Sequence, residues 1–214
     1  IEPSGQQYLV TEHVEGTSLA QFVVQRGVLR EADVLGWFDR LLAAVEYLHA
    51  QQPAIIHGRI SPASIVIGTD GIPRLLDLCG DVAETEPGAA APEENPYLAP
   101  EMSSGKADER VDIYALGATL YTLLTGQRPT SALARRGGQS LPSPRSLNKS
   151  LSTVADGAIL RAMALDPQER FASPAELWRA LQKPPKPRRR RSLAGLLGVA
   201  VGLVLLLVTV AGLA

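Results

Sequence analysis

The groups in this chain best equipped for chemistry fall in two short stretches. His57-Gly58-Arg59-Ile60-Ser61-Pro62-Ala63-Ser64 places an imidazole, a guanidinium and two hydroxyls close together, and Asp77-Leu78-Cys79 adds a carboxylate and the chain's single thiol. Arg59 is a permanent cation: with a pKa above about 12 it donates hydrogen bonds and accepts no proton near neutral pH. Ser61 and Ser64 offer neutral oxygens, weaker ligands for magnesium than an amide or carboxylate oxygen. Cys79 reads either as a reactive thiol or as a small semi-buried residue. One cysteine excludes an internal disulfide framework and a multi-cysteine zinc site. No Gly-x-Gly-x-x-Gly loop occurs, and none of the four lysines (Lys106, Lys149, Lys183 and Lys186) lies in an N-terminal strand.

These groups need a frame, and the apolar pattern supplies one. Residues 8–14 alternate weakly and are rich in β-formers, which predicts an edge strand. Ser18 opens a short helix that stops near Gly27. Residues 31–52 form the clearest amphipathic helix, with Val34, Phe38, Leu41, Leu42, Val45 and Leu48 at helical spacing and Pro53 as its stop. Two short apolar strands, residues 65–67 and 72–76, flank the hairpin signal Thr69-Asp70-Gly71. Residues 81–96 are acidic, rich in Pro, Ala and Gly and aperiodic, which predicts a long surface loop. Residues 111–125 are almost uniformly apolar and predict a buried helix stopped by Gly126. Residues 127–150 read mostly as loop, and residues 154–165 and 174–181 as two more helices. The last opens with Ser173-Pro174-Ala175-Glu176, a capping box with proline in the first turn. The expected fold class is α+β, mainly helical, with a small hairpin.

Charge divides the chain. Lys183, Lys186, Arg188, Arg189, Arg190 and Arg191 are six of the 21 basic residues, and residues 183–214 contain no acid, so the remaining 15 basic and 22 acidic residues lie in 1–182. The net charge of −1 is a cancellation between −7 on the body and +6 on the tail. The positive charge is therefore not on the folded portion, which argues against a nucleic-acid-binding body. Residues 193–214 are uncharged, and a helix of that length spans the roughly 30 Å hydrocarbon core of a bilayer. A buried core helix is the competing reading; the absence of any polar side chain but Thr209 favours the span. The basic run beside it places residues 1–192 on the cytoplasmic side of a single-pass protein in the cell membrane and offers contacts to anionic lipid headgroups. A nuclear-localisation signal is the alternative for that run. Ala194, Gly198 and Gly202 form a small-residue stripe through which two such helices could dimerise. Three regions follow: 1–182 a folded domain, 183–192 a basic Pro/Arg juxtamembrane linker and 193–214 a transmembrane helix. Ile1 is not an initiator Met, and the chain reads as the back part of something longer.

The motif order then becomes specific. Tyr47-Leu48-His49, Ile55-Ile56-His57, Leu76-Asp77-Leu78, Tyr97-Leu98-Ala99-Pro100-Glu101, Asp112-Ile113-Tyr114-x-Leu116-Gly117 and Asp166-Pro167-x-x-Arg170-Phe171 follow one another along the chain. In this order and spacing they resemble the C-terminal lobe of a bacterial membrane-anchored serine/threonine protein kinase, from the interlobe hinge near Tyr8 to about Leu181. In such enzymes a glycine-rich loop and a strand lysine hold the phosphates, an Asp and an Asn hold magnesium, and a second Asp orients the attacking hydroxyl. The loop and the lysine belong upstream of the hinge, so the N-lobe is absent from these residues. The resemblance implies ATP and magnesium where an N-lobe is present and no cofactor for this stretch alone.

The family writes its catalytic loop His-Arg-Asp-x-Lys-Pro-x-x-Asn. Here Arg59 stands at the catalytic Asp position, Ser61 at the Lys position and Ser64 at the Asn position, so no catalytic residue of the loop is intact. Asp77 matches the metal-binding Asp; it reads equally as a carboxylate receiving backbone hydrogen bonds after a strand. Ser64 is a doubtful second metal ligand. Arg59 could reach the phosphate or substrate side of the cleft, or pair with a neighbouring acid. Gly58 replaces the arginine that would receive a phosphorylated activation loop, and Thr85 and Tyr97 are the only hydroxyls between Cys79 and Ala99. Four residues read as structural: His57 as a packing and hydrogen-bonding group, Glu101 and Arg170 as a buried ion pair, and Asp112 as acceptor of backbone hydrogen bonds around His57. Scaffold is kept and chemistry is lost, which points to an inactive pseudokinase in signalling or scaffolding. A fragment of an active ATP-dependent serine/threonine kinase and a non-functional partial gene product are the alternatives.

Overall fold

The computed structural model describes residues 12–78, 95–102 and 107–182. The expected membrane span at 193–214, the expected lipid contacts of Lys183 to Arg191, and Gly198, Gly202, Cys79 and Thr85 all lie outside the described residues. Among those described, no helix is long and apolar enough to cross a membrane.

The first strand, β1 (Gly16–Ser18), pairs antiparallel with β2 (Ile65–Gly68), which pairs antiparallel with β3 (Pro73–Leu75). Of the strand expected at 8–14, residues 12–14 are irregular and the rest lies outside the described residues. The register shows what sets β1. Gly16 faces Gly68, and a Cβ on Gly16 would lie 2.3 Å from the Ile67 carbonyl oxygen, so the approach requires the missing side chain. Ser18 then caps α1 (Leu19–Arg26): its hydroxyl accepts from Gln21 N while the Gln21 side chain accepts from Ser18 N, two otherwise orphaned donors satisfied.

Helix α2 (Glu31–His49) buries Val34, Phe38, Leu41, Leu42 and Val45, the expected face, but Leu48 is only half-buried. The helix also stops at His49, before Pro53 can act, with Leu48 O turned to Gln51 N and Ile55 N. At the centre of the fold lies α3 (Arg110–Thr125), in which every residue after Arg110 is buried. That all-round burial is why it shows almost no amphipathic stripe. It ends at Gly126 in a left-handed conformation, φ 71°. The stretch expected to be mostly loop holds two short helices, α4 (Ala132–Arg136) and α5 (Pro144–Leu147), and α6 (Thr153–Ala162) is shorter than the periodicity suggests. A 3-10 turn (Pro167–Glu169) precedes α7 (Pro174–Leu181).

Acidic side chains of α2 hold the later helices. Glu31 accepts from Ser152 N at 2.8 Å and Ser152 Oγ at 2.6 Å just before α6, and Glu46 accepts from Ala175 N at 2.9 Å in the first turn of α7. Carboxylates at helix N-termini are favoured by the helix dipole. One core packs α2 against α7 and α3 against α6.

Candidate functional site: a clamped loop beside β2

The loop between α2 and β2 is fixed from below by one carboxylate. Asp112, the third residue of α3, is fully buried. Its Oδ2 accepts from His57 N at 2.9 Å and from His49 Nε2 at 2.8 Å, and its Oδ1 accepts from Gly58 N at 2.7 Å. Three donors satisfy a charge that would otherwise be costly to remove from water. They tie the end of α2, the start of α3 and the loop into one joint. Gly58 sits at φ 72°, a conformation glycine adopts without steric cost.

His57 is buried with both ring nitrogens engaged. Nε2 bonds the Leu76 carbonyl at 2.9 Å, and Nδ1 faces Arg59 N at 3.3 Å. The carbonyl requires the proton on Nε2, so Nδ1 accepts from the Arg59 backbone. Neither nitrogen has a lone pair available to a reacting group.

Beyond this joint the loop turns outward. The Arg59 side chain is exposed and has a partner within the chain; Ser61 is half-buried. Ser64 is buried, its hydroxyl accepting from Ser61 N at 3.0 Å and donating toward Ser61 O at 3.1 Å. Ser64 O in turn accepts from Leu76 N at 2.8 Å, which joins the loop to the end of β3. Asp77 follows, exposed and at φ 63°, a left-handed conformation uncommon outside glycine but tolerated by Asp. Among the described residues no cluster of three or more His, Cys, Asp or Glu side chains could hold a metal ion. Of the two candidate magnesium ligands, Ser64 is committed to closing its own loop, whereas Asp77 is exposed.

A second joint closes the base. Arg170, 2% exposed, directs Nη1 and Nη2 at the two oxygens of Glu101, the second at 2.8 Å. Its remaining donors reach Ala164 O at 2.8 Å, Arg110 O at 3.0 Å and Leu165 O at 3.3 Å. All five guanidinium donors are used, and the Tyr114 ring lies 5.1 Å below. The segment before Glu101 is held through Tyr97, whose hydroxyl is 3.1 Å from Thr122 Oγ1 on α3.

The structure thus brings His57, Asp112, Ser61 and Ser64 into one network and Glu101 and Arg170 into another. It also enlists His49 as a third donor to Asp112. The motif Tyr47-Leu48-His49 signalled that histidine, but only the crossing of α2 and α3 shows what it holds.

The model of the protein kinase domain matches residues 1–175, and the chain belongs to the protein kinase domain family. It is 34% identical over 189 residues to the serine/threonine-protein kinase PknA of Nostoc sp. (strain PCC 7120), covering 83% of this chain and 33% of that one. It is 30% identical over 183 residues to the serine/threonine-protein kinase PrkC of Bacillus subtilis, covering 79% and 28%. The Mycobacterium tuberculosis PknI kinase domain superposes with a TM-score of 0.63 at 29% identity, over 79% of this chain and 63% of that one. The chain spans about a third of the length of the curated relatives it matches. It is a mainly helical serine/threonine protein-kinase-like domain, homologous to bacterial PknB-type kinases.

Proposed function

We propose that this chain is a membrane-anchored pseudokinase, a kinase-like base used for binding in signalling or scaffolding and not for phosphoryl transfer. One observation carries the reading. The loop keeps its clamp, with Asp112 on the His57 and Gly58 amides, yet presents Arg59 outward at the position where the family carries its catalytic Asp. A guanidinium cannot take the acceptor hydroxyl's proton, and loss of a positioned base costs about 10²–10⁴-fold in rate. The internal bonding of Ser64 adds to that loss. Anchoring is supported by the uncharged residues 193–214 and the six basic residues before them, which also keep residues 1–192 at the cytoplasmic face.

The test is phosphate incorporation into a generic serine/threonine substrate by the protein in its full natural length, with ATP and magnesium. The expected result is incorporation at the level of the protein-free blank. Incorporation that disappears on Asp77→Ala overturns the reading.

A further inference from the structure

Three exposed arginines border the segment 95–102. Arg128 stands with its Cζ 5.8 Å from the centre of the Tyr97 ring. Arg136 reaches the Pro100 carbonyl, with Nη1 at 3.4 Å. Met102, at the segment's other end, places its terminal methyl 3.6 Å from where a Cβ on Gly58 would lie, immediately beside Arg59. Arg59, Arg128 and Arg136 are all exposed. The carboxylate within the segment, Glu101, faces buried Arg170; among the described residues, Asp77 is an exposed acid beyond β3. A basic border on a body of net charge −7 runs against the overall sign, and the backbone carrying Arg59 is rigidly held by Asp112 and His57.

We infer that this face binds a peptide bearing phosphoserine or phosphothreonine, with Arg59 pairing the phosphoryl oxygens and Arg128 and Arg136 extending the contact along the peptide. The inference rests on the non-catalytic reading above: a guanidinium where the family orients a hydroxyl suits a phosphorylated side chain better than a free one. Guanidinium groups match phosphate oxygens in a two-pronged geometry that lysine cannot reproduce. Binding must displace the partner Arg59 already has within the chain, so moderate affinity is expected.

The experiment uses the full chain in a zwitterionic detergent and two fluorescent dodecapeptide libraries, one with a fixed phosphothreonine and one with threonine, read by anisotropy. The phosphorylated library should bind at least tenfold more tightly. Arg59→Gln should lower that preference by about tenfold, and Arg128→Gln with Arg136→Gln by about threefold, with melting temperatures unchanged. Every variant keeps the basic run 183–191, so a preference unaltered by them would mean the tail holds the phosphate and would overturn the inference. Equal binding of the two libraries would overturn it as well. Loss of binding to phosphatidylglycerol vesicles, with peptide binding intact, would reassign the arginines to a lipid surface. A phosphotransfer assay on the same preparation separates the two readings. Activity there sinks the non-catalytic reading, whereas a silent enzyme without phosphopeptide preference sinks only this one.

Discussion

Glu101→Gln isolates what the Arg170 joint contributes. It leaves a guanidinium with a fully buried side chain without its counter-charge, and breaking one partner of a buried pair costs about 3–5 kcal/mol. Urea unfolding should show that loss, and a change below about 0.5 kcal/mol would mean the pair behaves like a surface one. Tyr114 makes a different prediction. Burial pushes its phenol above the ordinary 10.0, opposed by the Arg135 guanidinium, which approaches the hydroxyl, and by Arg170; among the described residues no donor or acceptor meets that hydroxyl in good hydrogen-bond geometry. Above about pH 10 the unfolded phenol loses its proton while the folded one keeps it, so the unfolded state binds fewer protons and stability falls as pH rises. Below that pH the contribution is intact. Tyr114→Phe should therefore keep or raise stability at pH 7, since an unsatisfied buried hydroxyl costs about 1–3 kcal/mol. It should also flatten the alkaline decline in melting temperature. Motif order alone makes Asp112, Glu101 and Arg170 visible as a set. The commitment of Ser64 to its own loop was not visible, because a hydroxyl's partner depends on backbone turns that residue type does not dictate.

At the scale of elements, α3 and α6 approach closely at one glycine. A Cβ on Gly117 would fall 2.7 Å from Ala162 Cβ and 3.0 Å from Met163 Cγ. Gly117→Ala should destabilise by about 1–3 kcal/mol through overpacking. Gly157 in α6 has no atom within 4 Å of its would-be Cβ, so Gly157→Ala should stabilise by about 0.5–1 kcal/mol by removing backbone freedom from the unfolded chain. Opposite shifts in denaturation midpoint are the expected readout, and shifts of the same sign would contradict the packing. Periodicity found α2, α3 and α7 because each has a long apolar face or wholly apolar run. It missed β1, which is three residues long and set by Gly16 opposite Gly68. The capping motif of α7 was also only half right: Ser173 accepts from Glu176 N, but the Glu176 carboxylate takes Ala172 N.

At the scale of the molecule, the proposed anchor makes the protein's location depend on residues 183–214. The chain should sediment with membranes and resist alkaline carbonate extraction. Arginine in place of Leu205 and Val208 costs about 2.5–3.5 kcal/mol each at a span's centre and should release it to the soluble fraction; retention there would remove the span. The division of charge, the uncharged run and the family resemblance were all determined by sequence, because each depends on residue types and their order along the chain. Tertiary structure alone decided that Asp112 joins α2, α3 and the loop through three donors, that both nitrogens of His57 are occupied, and that Arg128 and Arg136 stand along the segment beside Gly58 and Arg59. Those outcomes depend on distances between residues up to 63 positions apart, which only the packing of α2, α3 and the sheet can set.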